Sequence, residues 1–131
     1  MSERKKSKNY IWKWHNNVLH IFDYTYRQNF WFFYAQDYKT YLKILWKRFK
    51  IKGDPVVKSG KFSVYEQHGY DVCFIWCPPA KGNLVHECFH AISYTLRRRG
   101  LPLNDDTEEA YCYSLQFLVK TIMEALKSKR R

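Results

Sequence analysis

Five consecutive residues, His86-Glu87-Cys88-Phe89-His90, carry the sharpest chemical signal in the chain. On an α-helix, residues four apart share a face, one turn above the other. Two imidazoles so placed can reach a single zinc ion at about 2.0–2.1 Å. Glu87 follows His86 by about 100° around such a helix. It would therefore border the metal without binding it, positioned to take a proton from a zinc-bound water and pass it to a leaving amine.

A catalytic zinc usually has three protein ligands and keeps its fourth position for water. The candidates for the third are Glu108 and Glu109, eighteen and nineteen residues after His90. They open the next predicted helix, after a turn short enough to fold it back antiparallel. The same residues suit a plain structural role, because Asp105 with Glu108, or Asp106 with Glu109, has capping-box spacing and acids favour a helix N-terminus. One can cap while the other ligates. Glu109 is preferred slightly, since Tyr113 stands one turn further on and could hydrogen-bond a ligand or an oxyanion. Tyr111, and Tyr94 on the preceding helix, are alternative donors to a tetrahedral intermediate. His15, His20 and His68 have no partner at ligand spacing.

The elements that must position these residues read as follows. Asn17 to Tyr26 alternates loosely and Phe30 to Ala35 is an aromatic run, together a first hairpin. Asp37 caps a helix whose apolar residues Tyr38, Tyr41, Leu42, Leu45, Trp46 and Phe49 recur at spacings of three and four. Gly53-Asp54-Pro55 and Ser59-Gly60 bracket a loop. Lys61 to Gln67 and Tyr70 to Cys77 form a second hairpin about His68-Gly69, closed by Pro78-Pro79. Asn83 to Arg99 is the helix bearing the pentapeptide, with Gly100 and Pro102 as its stop. A last helix starts at 104–107 and runs to about Leu126. The expectation is one α+β domain over residues 1–131, with a small, mostly antiparallel sheet of about four strands and three helices. Residues 1–9 and 127–131 are expected to be flexible basic tails.

With these motifs in place, the chain resembles the glutamate-zincin metallopeptidases, and its stretch from Val72 to Leu118 is similar to small phage- or prophage-encoded zincin-like proteins. The matching residues are Leu84-Val85-His86-Glu87, His90-Ala91 and Thr107-Glu108-Glu109-Ala110. In related phage zincins the ligand Glu stands three residues before an Ala, a position held here by Thr107. The resemblance implies a minimal zincin-like fold, zinc as cofactor, and an edge strand beside the active helix that binds an extended peptide. The expected activity is that of a zinc metallopeptidase with Glu87 as general base.

Composition sets the wider limits. The chain has 131 residues, 23 Lys+Arg against 12 Asp+Glu, and a net charge of +11. An apolar share of 46% excludes a disordered chain. No uncharged run approaches the length needed to span a bilayer, so no membrane role is expected. Met1 to Lys8 lacks the apolar stretch of a secretory signal. A cytoplasmic protein is expected, in the host cytoplasm if phage-encoded, with Cys73, Cys77, Cys88 and Cys112 as free thiols. Eight of the basic residues lie in the two tails, and residues 9–126 hold 15 basic and 11 acidic groups. A protein or peptide substrate, or a host protein, is the expected partner, with weak nucleic-acid contact through the tails. Phe30-Trp31-Phe32-Phe33-Tyr34 reads as core or as an oligomer contact rather than a base-stacking surface. The alternative function is a catalytically inactive zincin-like protein, or a basic nucleic-acid-associated phage accessory protein, acting by binding a partner.

Overall fold

Strands rich in aromatic and β-branched residues build the sheet. A computed structural model describes residues 4–6, 10–56, 58–78 and 83–129. Its strands are β1 (Arg4–Lys6), β2 (Tyr10–His15), β3 (Val18–Asp23), β4 (Gln28–Phe33), β5 (Lys61–Gln67) and β6 (Tyr70–Trp76). Its helices are α1 (Tyr38–Phe49), α2 (Leu84–Arg98) and α3 (Glu108–Lys129). The strands form one sheet in the order β1-β2-β3-β4-β6-β5.

Each face of the sheet carries one core, because successive strand residues point to opposite sides. Trp12, Trp14, Leu19, Ile21, Phe30, Phe32, Cys73 and Ile75 pack against α2 and α3. Val18, Phe33, Val72, Phe74 and Trp76 pack against Tyr38, Tyr41 and Leu45 of α1 on the other face. Long-range bonds pin the helices. The Trp14 indole donates to the Ala125 carbonyl at 3.1 Å, and the Trp76 indole to that of Ala35 at 3.1 Å. Asp37 caps α1 as expected, its carboxylate accepting from the Thr40 amide at 2.8 Å. His68 and Gly69 both have positive φ, 52° and 84°, which makes the tight β5–β6 turn that their types favour.

The expected four-stranded zincin-like sheet is corrected by this topology. The sheet has six strands and is mixed: its other neighbouring strands pair antiparallel as expected, but β4 and β6 run parallel, with Phe30 opposite Cys73 and Phe33 opposite Trp76. The parallel pair arises because the chain leaves β4 through α1, lays down β5 at the sheet edge and returns β6 between β5 and β4. Strand β2 was absent from the expectation, although Trp12 and Trp14 alternate onto the buried side. It turns into β3 at Asn16, whose φ of 58° suits a short polar side chain. The basic termini also differ from free tails over their described residues. Arg4–Lys6 pairs with β2, and Lys127 and Lys129 lie within α3. The rest of those tails, residues 1–3, 7–9 and 130–131, lie outside the described residues, as does Pro79. No helix among the described residues is long and apolar enough to cross a membrane.

Candidate metal centre

The first two turns of α2 hold the pentapeptide. Cys88, Ala91, Ile92, Thr95 and Leu96 are buried and anchor the helix to the sheet. That packing leaves His86 and His90 exposed on one side, while Glu87 turns inward and is only 7% exposed. The Nε2 atoms of His86 and His90 lie 3.1 Å apart, and their ring planes meet at 79°. Glu87 Oε2 is 3.9 Å from His86 Nε2. Among the described residues, these three form the group of His, Cys, Asp or Glu side chains whose ligand atoms all lie within 4.8 Å of one another.

A tetrahedral zinc holding two nitrogens at about 2.0–2.1 Å separates them by about 3.3 Å. The imidazole pair therefore fits the metal that the resemblance implies. Without a metal, the same separation lets one ring N–H donate to the other ring's bare nitrogen. Burial raises the Glu87 carboxyl above its usual range, opposed by His86, His90 and Lys61 in that order. A half-desolvated carboxylate beside two imidazoles has the character of a proton acceptor rather than a surface solubiliser.

The wall opposite α2 is the start of β5. A Cβ built on Gly60 would stand 2.7 Å from Glu87 Oε2, so only a residue without one lets the carboxylate lie where it does. The Phe62 ring lies nearly parallel to that of His90, at 15° with centroids 6.1 Å apart. Asn83 makes no side-chain cap on α2 and instead donates to the Ser59 carbonyl at 2.8 Å, tying the helix start to the loop before β5. Gly60, Lys61 and Phe62 were missed as site residues. The only sequence signal was a glycine read as part of a loop.

The candidates on α3 are placed apart from this group. Glu108 and Glu109 are both exposed in its first turn, where acids favour the helix N-terminus. The turn before them is organised by Asn104, whose side-chain oxygen accepts from the amides of Asp106 and Thr107 at 2.9 and 3.1 Å, not by Asp105 or Asp106. Glu108 lines a recess with Phe89, Leu103, Asn104 and Tyr111, on the side of α2 facing α3. Tyr111 is buried and donates its hydroxyl to the Leu101 carbonyl at 2.6 Å, which takes it out of use as an oxyanion donor. Tyr113 lines a different recess, with Asp23, Thr25 and Phe117. Tyr94 donates to Asp71, and burial together with that bond pushes its hydroxyl up to about 12.

The cysteines are free thiols. Cys73 and Cys77 are pushed up to about 12 and about 11, chiefly by burial, so neither is a ready nucleophile. Compared with known protein families, curated proteins and solved structures, the chain matches none.

Proposed function

We propose that this chain is a zinc-dependent hydrolase acting on peptide bonds, centred on His86, Glu87 and His90. The observation that carries the reading is the pair of Nε2 atoms 3.1 Å apart with a buried carboxylate alongside. His86 and His90 would hold the metal. When bound, zinc supplies Lewis acidity that polarises a carbonyl and acidifies water. Glu87 accepts the proton of the attacking water and returns it to the departing amine, a role suited to a carboxyl raised by burial. Gly60 leaves room for that carboxylate, and Lys61 supplies positive charge beside it.

An extended substrate has one strand to pair with on this side. β6 is flanked by β4 and β5, whereas β5 is the sheet edge and borders His90 through Phe62. Peptide addition along β5 is therefore the favoured mode, with main-chain hydrogen bonds for affinity.

Metal analysis after zinc-replete purification tests the reading. About one zinc per chain is expected. His86→Ala should lose it, and Glu87→Gln should keep it while abolishing cleavage of a peptide library. A wild-type chain that retains no zinc ends the proposal. So does cleavage unaffected by Glu87→Gln.

A further inference from the structure

The sheet face that carries α1 is only partly covered. α1 packs over Val18, Phe33, Val72, Phe74 and Trp76, leaving the β2 and β3 end of that face without a layer. Strand register sets Lys13, His20 and Trp31 in one row across β2, β3 and β4, and Ile11, Phe22 and Asn29 in the next. These side chains share the open face.

Its residues are aromatic and basic together. His20 stacks on Trp31 with centroids 4.4 Å apart at 21°, and the Trp31 ring meets Phe49 edge-on at 5.3 Å. His20 is fixed by a 2.6 Å bond to the Asn29 side chain. Phe22 is half-buried and meets the exposed ring of Tyr24 at 5.0 Å. Lys13 is exposed on β2. Arg48, at the end of α1, donates to the His15 carbonyl at 3.2 Å and so borders the same patch. Among the described residues in the register rows of this face, none is acidic; Asp23, Glu66 and Asp71 all fall in the alternate rows. The positive field is felt by His15, whose pKa is lowered by burial and then by Lys13, Arg48 and His20.

A half-exposed aromatic row whose charged neighbours among the described residues are Lys13 and Arg48 is complementary to one polymer above others. Its phosphates match the cations, and its unstacked bases match the rings. We propose that this open sheet face binds single-stranded nucleic acid, with a base stacking on the half-buried Phe22 and phosphates held by Lys13 and Arg48. The site lies across the sheet from His86 and His90 and does not depend on the metal reading.

The test is fluorescence anisotropy of labelled oligo-dT and oligo-U of about 12 nucleotides, a length within the usual span of single-strand sites. It uses the full chain over a range of salt. Binding that weakens with salt is expected. Phe22→Ala should weaken it about 5- to 150-fold, the usual worth of one stacked base. Lys13→Ala should lower the salt slope by about one. Both positions lie outside the buried cores, so these variants should fold, which circular dichroism checks. Lys120→Ala, on α3, should bind as wild type does. A preference for either sugar identifies the natural polymer. No binding at low salt overturns the proposal. So does affinity unchanged in Phe22→Ala, which would mean charge alone. Equal binding to a duplex of the same sequence, or to phosphatidylserine vesicles, overturns it as well.

Discussion

Glu87 owes its position to a residue that contributes no side chain at all. Its carboxylate fills the space where a Cβ of Gly60 would stand, 2.7 Å from Oε2. Gly60→Ala should therefore push the carboxylate away from His86 while leaving both imidazoles untouched. The obstructed atom is the end of a flexible side chain, so the fold should survive. The expected result is zinc content equal to wild type with peptide cleavage reduced by about tenfold or more, since a misplaced catalytic group of 1 Å can cost about a hundredfold. Wild-type cleavage by Gly60→Ala would show that the carboxylate has no fixed role. His86, Glu87 and His90 were legible because a helix turns spacing into proximity. Gly60 was not, because its meeting with Glu87 depends on where β5 lies across the gap from α2. Nor could the offset of Glu108 and Glu109 from the imidazoles be read, since that depends on how α3 sits against Phe89.

At the scale of elements, local signals placed most boundaries. β5 and β6 fall where alternation and His68-Gly69 put them, and α1 starts at its Asp37 cap. The strands that were missed lack that support. Arg4–Lys6 has no apolar alternation, so its pairing is a main-chain ladder fixed only by β2. The parallel β4–β6 pair joins residues more than 40 positions apart, which no local pattern encodes. The two cores give the elements separate tasks. Leu45 is fully buried in the α1 core, remote from the α2 face. Leu45→Ala should cost about 2–5 kcal/mol of stability by leaving a cavity. Denaturant unfolding should record that loss, while zinc content per folded chain stays at the wild-type value. Loss of zinc at full folding would mean that the two faces are coupled.

The molecule as a whole is a sheet with opposite faces of different character, and this shapes its response to acid. His20 lies half-buried under Trp31, and burial lowers its pKa below 6.5, with the Asn29 bond opposing. His15 is lowered too, by burial first and then by Lys13, Arg48 and His20. Both imidazoles thus resist protonation in the folded chain more than in the unfolded one. Above pH 6.5 they are neutral in either state, and their full contribution to stability is present. As pH falls through 6.5 the unfolded chain takes up protons first, so stability declines until the lower, folded pKa values are reached. Asp23 acts in the other direction. Burial raises its carboxyl above 3.8, so its ionisation weakens the fold at neutral pH and that cost is relieved as acid protonates it. Its window begins at carboxylate pH, and the histidines should govern the range just below neutrality. Wild type should therefore lose Tm between about pH 7.5 and about pH 5.5, a span that brackets the ordinary histidine pKa. A chain with both His15→Gln and His20→Gln should lose less over the same span, since glutamine carries no proton to gain. Equal losses in the two proteins would place the acid-sensitive group elsewhere and remove these imidazoles from the account of stability.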